Sequence, residues 1–401
     1  MLNESQRFLL ALVRSALGNN GADLSCFKVN WGEVYSIAQK QGVHGVIFDS
    51  LEKLPFNYRP PQALLLQWIA QISIMERTYK SYVSVIGEFA EFLGKQGLFV
   101  MLMKGYGCSL NYPQPSHRPC GDIDVFVMTN RGNHNKRIVE LVNKVITEKS
   151  IGRLVYDTEH HTVIQFGNFL IENHETILDV NTHKSSRFLN ELLEALAKES
   201  IVGKSFVNGF MLPSVKFNSI HLLRHMANDF ATFKTTLRNL LDWSTFVSRN
   251  AKAMDWPFVY EVARKANMHR FLDAINGICV DSLGYDPELF PVQSKNDALC
   301  DRILADIFQP EFQWRIPEMN NKLMYVWVKT CRMWQNRWKY KIVYDESLFS
   351  SFISLACNRI RRMLAKTEHS HPLGMVVSTH FRCGKGVKRG LKNGALPFNI
   401  D

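Results

Sequence analysis

The chain has 401 residues with 46% hydrophobic, 21% charged and 11% aromatic content, which excludes disordered, collagen-like and low-complexity classes and leaves room for about two or three folded domains. The formal charge of +11 is uneven: residues 358–393 hold nine basic side chains against the single acid Glu368, and the remainder is near balance. Such a tail attracts phosphates without reading bases, so it points to nucleic acid as a partner and not to a fold.

In chain order, the first segment (MLNESQRFLLALVRSALG) sets Phe8, Leu9, Leu12, Val13, Ala16 and Leu17 on one helical face, ended by Gly18. It reads as a folded amphipathic helix and not as a secretory leader. A second helix opens at Trp31, and Pro60 and Pro61 precede a proline-free stretch from Gln62 to Gly97 that predicts one long helix or two. No apolar run approaches the roughly 20 residues a membrane span needs. The eight Cys stand singly with no C-x-x-C pair, as expected of a cytoplasmic protein with neither a disulfide framework nor a zinc ribbon.

At Leu98 the period changes. LFVMLM is the length of one buried strand, halted at Lys104-Gly105, and a short helix is expected before Tyr112. DIDVFV is a second strand, residues 134–150 an amphipathic helix, residues 162–171 an apolar strand-like run, and TILDVNTH (176–183) an alternating strand. Helix resumes from Arg187. The fold expected is therefore α+β: a helical N-terminal cap at 1–97, a mixed-sheet core at 98–185, a helical region at 186–345, and a basic tail at 346–401 expected to be poorly ordered.

Three features in the core carry chemistry. On a strand, Asp122 and Asp124 point the same way while Ile123, Val125 and Val127 bury opposite. Neighbouring carboxylates repel unless a cation sits between them, and hard Mg²⁺ takes such oxygen ligands together with phosphate. Upstream, Lys104-Gly105-Tyr106-Gly107 lets backbone approach a ligand, although it is not a Walker loop. Asp179 lies within an alternating stretch, where an acid asks for a reason such as a third metal ligand. His221 and His225 share a helix face, with a polar contact beside the site favoured over zinc. Arg238 and Asp242 are spaced for a helix ion pair, and at most one of the adjacent pair His160 and His161 is expected to line the cleft.

The run LMKGYGCSLNYPQPSHRPCGDIDVFV resembles the core of a bacterial family of uncharacterised nucleotidyltransferases within the DNA polymerase β-like superfamily. Lys104, Gly105, Tyr112, Pro113, Arg118, Gly121, Asp122 and Asp124 fall in register, and Asp179, His225, Arg238 and Asp242 extend the likeness more weakly. The resemblance implies a nucleotidyltransferase-like core in which Asp122, Asp124 and Asp179 hold two Mg²⁺ ions and Asp179 helps deprotonate an acceptor hydroxyl. A nucleoside monophosphate would pass from an NTP to that hydroxyl, with Gly105 holding the triphosphate and Lys104 and Arg118 either neutralising it or serving a structural role, Arg118 by pairing with a core carboxylate. The family pattern also implies a His two residues after its third carboxylate, a place that Asn181 takes here.

Two other readings use different features. One is a nucleotidyltransferase fold without turnover that serves as a nucleotide- or partner-binding module. The other is nucleic-acid binding through 358–393, helped by the aromatic and basic stripe around 314–344, whose plainer reading is an amphipathic helix with rings inward and cations in water.

Overall fold

The computed structural model describes residues 2–353 apart from 20–26, 130, 158–159, 182, 202–208, 312–321, 345, 348 and 352. The basic segment 358–393, and Trp314 of the stripe, lie outside the described residues, whereas the start of the expected tail is described, with Glu346 in contact with His183. Helix α1 (Glu4–Ala16) starts on a capping box in which the Asn3 side chain accepts from the Gln6 N–H and the Gln6 side chain accepts in return from the Asn3 N–H. Helices α2 (Trp31–Lys40) and α3 (His44–Leu51) pack beside it. The stretch after Pro61 is one helix, α4 (Gln62–Gly94), of 33 residues.

Strand β1 (Leu98–Leu102) leads through Gly105 into the single turn α5 (Tyr106–Ser109). Strand β2 (Ile123–Thr129), helix α6 (Lys136–Glu148) and strands β3 (Arg153–Asp157), β4 (His161–Phe166) and β5 (Phe169–His174) complete a sheet of order β1-β2-β5-β4-β3. Only β2 and β5 run parallel; the other pairs are antiparallel. Alternation then sorts the side chains. Leu98, Val100, Leu102, Ile123, Val125, Val127, Ile164 and Ile171 join one core with Tyr82, Ile86, Phe89 and Leu93 of α4, whereas Met101, Met103, Phe126 and Met128 face the helical core.

Two expectations change here. The apolar run at 162–171 is not one strand but a hairpin, turning at Gly167, whose φ is +57°, and Asn168, so that Phe166 pairs with Phe169. The described residues of 176–183 form no strand: 176–178 are bend and 180–181 turn, Ile177 and Leu178 are both buried, and the sheet has already ended at His174.

The remaining helices are α7 (Lys184–Ile201), α8 (Val215–Ala231), α9 (Leu237–Arg249), α10 (Trp256–Lys265), α11 (His269–Asp281), α12 (Asp297–Phe308), α13 (Lys322–Gln335) and α14 (Arg337–Val343). Their apolar faces share one core with α1 to α3, running from Phe8 through Trp68 and Trp243 to Tyr344. In the stripe, inside and outside are partly exchanged. Trp327 and Trp334 are exposed, whereas Lys339 is fully buried, 2.5 Å from Asp306 Oδ2 and over the Phe230 and Phe233 rings.

A pH-sensitive tie fastens the loop before β2. His117 contacts Asp49 Oδ1 at 2.6 Å through Nδ1 and Glu76 Oε1 at 3.1 Å through Nε2, joining α3 and α4. Burial pulls its pKa down, but the two carboxylates outweigh burial and hold it above the ordinary 6.5. A raised folded-state pKa adds stability that is fully present below the unfolded value and is lost as pH rises through the folded one. Urea unfolding at pH 6 and pH 8.5 should therefore show His117→Gln clearly weaker than the parent at the lower pH, with the gap narrowing at the higher; a gap independent of pH would exclude the charged tie.

Candidate active site

Parallel pairing of β2 and β5 sets Asp124 directly opposite Glu172 in the register. Asp124 is only 4% exposed and shares its strand face with Phe126 and Met128, while Glu172 is half-buried. His174, two residues beyond Glu172, brings Nε2 to 3.2 Å from Asp124 Oδ1 and 3.6 Å from Glu172 Oε2. Among the described residues, Asp124, Glu172 and His174 form one of two groups close enough to grip a single ion, their ligand atoms lying within 4.8 Å of one another.

Asp122 immediately precedes β2 and is exposed, its carbonyl accepting a hydrogen bond of 3.2 Å from the Tyr82 hydroxyl. Partial burial of its carboxyl, followed by repulsion from Glu172 and Asp124, raises its pKa above the ordinary 3.8. These three acids thus feel one another. Asp124 behaves oppositely: burial would raise it, but the Lys104 ammonium and the His174 hydrogen bond hold it well below the usual carboxylate range.

Lys104 follows β1 by two residues and puts Nζ 3.2 Å from Asp124 Oδ1 and 3.0 Å from His225 Nε2. Burial lowers its pKa, yet Asp124, with Glu172 and Asp229 behind it, leaves the ammonium raised. On α8, His225 Nδ1 lies 3.3 Å from Asp229 Oδ2, and burial, then Lys104, pushes the imidazole well below 6.5. His221, one turn earlier, is buried and pushed down to about 3 by burial and then by Lys104. The two helix histidines therefore stand neutral beside the lysine, in keeping with a polar contact at the site.

Gly105 bends the chain after Lys104 with φ +66° and ψ −104°, a conformation a side chain would strain. A Cβ there would meet the Tyr82 hydroxyl oxygen at 2.7 Å, and Tyr82 is fully buried and has no room to yield. Gly105→Ala should cost on the order of 1–3 kcal/mol in denaturant unfolding. Adding Tyr82→Phe should recover part of it, and an unchanged midpoint in the single variant would refute the bend.

The other expected site residues go elsewhere. Arg118 is 6% exposed and grips Asp242 with two nitrogens at 2.7 Å each, while Tyr112 donates to the same carboxylate at 2.7 Å. Asp242 therefore pairs with Arg118 and not with Arg238 one turn away; three residues that carry the family likeness meet in a clamp fastening the loop before β2 to α9. Asp179 lies outside the sheet, in the bend after β5, and accepts the Asn181 N–H at 3.1 Å. The acid that the sheet sets beside Asp124 is Glu172, which sequence reasoning passed over. Its signal was the Glu172-Asn173-His174 spacing, a carboxylate with His two residues on, hidden at the end of an apolar run.

This sheet, with carboxylates on adjacent parallel strands and helices on either side, defines an α+β protein with a nucleotidyltransferase-like core. A family described as uncharacterised nucleotidyltransferase matches residues 28–284, well over half of the chain, and the chain belongs to that family. Comparisons with curated proteins and with solved structures return no match. Among the described residues, no helix is long and apolar enough to cross a membrane.

Proposed function

We propose that the protein transfers a nucleoside monophosphate from an NTP to a hydroxyl, with Asp122, Asp124 and Glu172 as the carboxylates that hold Mg²⁺. The observation that carries this reading is the facing pair Asp124 and Glu172, with Asp122 electrostatically coupled to both. Three clustered carboxylates are a hard oxygen donor set and fit Mg²⁺ better than a softer ion. Bound there, the ion would stabilise charge on the attacking and leaving oxygens.

The chain's own residues prepare that chemistry. His174 holds Asp124 through its 3.2 Å contact, and the Gly105 bend turns the backbone from Lys104 into α5. Lys104, partly exposed, is the cation that can turn from Asp124 to an incoming triphosphate. Asp229 and His225 steady its ammonium.

One observation favours a second reading, a nucleotide-binding module without turnover: Lys104 and His174 already neutralise Asp124. Transfer from each of four α-labelled NTPs separates the two. For catalysis we expect Mg²⁺-dependent labelling that falls by roughly a thousandfold in Glu172→Gln, a loss of about 4 kcal/mol in transition-state stabilisation, and little in Asp179→Asn. The reverse ranking would return the third-ligand role to Asp179, and NTP binding without any label transfer would establish the second reading.

A further inference from the structure

Beyond the carboxylates, three histidines gather at one end of the β4–β5 hairpin. His161 opens β4 and His174 closes β5, and antiparallel pairing sets the two opposite each other. His160 precedes the strand, so strict alternation does not apply to it, and its carbonyl accepts the Glu175 N–H at 2.9 Å, closing the hairpin end. The ring centroids stand 5.0 Å (His160 to His174), 5.2 Å (His161 to His174) and 5.5 Å (His160 to His161) apart. One ligand nitrogen of each lies within 4.8 Å of the others.

The second observation concerns a single atom. His174 is 6% exposed, and its Nδ1 is buried without a hydrogen-bond partner, whereas Nε2 is turned to Asp124 and Glu172. An imidazole with one nitrogen held by carboxylates and the other bare has the pattern of a metal ligand oriented by outer-shell acids. His160 is oriented by its own outer contact, Nδ1 lying 2.7 Å from Thr176 Oγ1.

We propose that His160, His161 and His174 form a Zn²⁺-class site beside the carboxylate cleft, bridged to it by His174. Three imidazoles and an open fourth position suit a borderline ion such as Zn²⁺ or Co²⁺ and not Mg²⁺. Ligand nitrogens at about 2.0–2.1 Å from one tetrahedral ion stand about 3.3 Å apart, so modest ring rotation closes the set. The site shares no carboxylate with the Mg²⁺ reading and does not depend on it.

The test is Co²⁺ binding to the chelator-stripped full chain, free of any histidine tag, read by visible d–d absorption and confirmed by Zn²⁺ displacement. Other His and Cys can bind cobalt, so the quantity read is the number of equivalents lost on substitution. We expect one tetrahedral equivalent to be lost in His160→Gln with His161→Gln, also in His160→Gln alone, and retained in Asp122→Asn, with excess Mg²⁺ failing to displace it. Circular dichroism and melting temperature establish that the variants are folded; His160 is only half-buried, so its single variant is the safer of the two. Unchanged binding in both histidine variants, or displacement by Mg²⁺, would overturn the site. Either result leaves the label-transfer outcome free, so the two proposals fail separately.

Discussion

Asp124→Asn is expected to abolish label transfer, by roughly a thousandfold or more, and to weaken the fold at the same time. The activity loss follows from removing the central carboxylate of the cleft, a change worth several kcal/mol in transition-state stabilisation. The stability loss follows from leaving Lys104 and His174, both pointed at Asp124, without the anion that offsets their desolvation. Breaking a buried pair costs about 3–5 kcal/mol, and the partial exposure of Lys104 places this case near the lower figure. The depressed pKa of Asp124 fixes the sign with pH: its contribution is present above the unfolded carboxylate value and is lost only as pH falls through the still lower folded value. Near neutrality the pH dependence of the deficit comes from His174 instead: burial lowers its pKa, but the contacts with Asp124 and Glu172 raise it above 6.5, so the deficit should shrink as pH rises through the folded imidazole value. Adding Lys104→Met should restore part of the stability and none of the activity. A variant as stable as the parent would exclude the ion pair, and one as active would remove the carboxylate from the chemistry.

Arg118→Met is expected to cost about 3–5 kcal/mol, because it strands the Asp242 carboxylate in the interior with only the Tyr112 hydroxyl for company. Pairing it with Asp242→Leu should recover most of that loss, since two apolar groups replace the ion pair. The contrast with a phosphate-binding role is sharp: an arginine serving the triphosphate would raise KM for NTP with the unfolding midpoint unchanged. Denaturant unfolding of the single and double variants, with NTP titrations on whichever remain folded, decides between the two roles.

Where the chain obeyed a single period, its structure was legible. In β1 the unbroken apolar run of strand length, and in β2 the alternation of Asp124 with Ile123 and Val125, marked the two strands. The long helix after Pro61 was legible for the same reason, being free of breakers. The hairpin was not, because Phe166-Gly167-Asn168-Phe169 keeps apolar residues on both sides of the turn and conceals a two-residue connection inside one hydrophobic run. Missing that turn hid Glu172, the acid that the register sets opposite Asp124. Glu172, Asn173 and His174 are poor strand formers by composition, and the pairing with β2 and β4 overrides the propensity. At 176–183 the alternation was real in the letters but answered to no sheet, as Ile177 and Leu178 bury together at a bend. For Arg118 the sequence left phosphate binding and a core ion pair both open, and only the fold names the partner, Asp242, 124 residues away.

Helix α4 belongs to two cores at once. Its first half buries Trp68 and Ile72 among the helices, and its second half lays Tyr82, Ile86, Phe89 and Leu93 against the underside of the sheet. Fragment design inherits a constraint from this. A clone begun at Leu98 to isolate the α/β portion would keep α6 but uncover the part of that underside that packs on α4, and would be prone to precipitation. The shortest soluble piece must begin upstream of Tyr82, and once it carries that stretch it also carries a loose end that wants the N-terminal helices back.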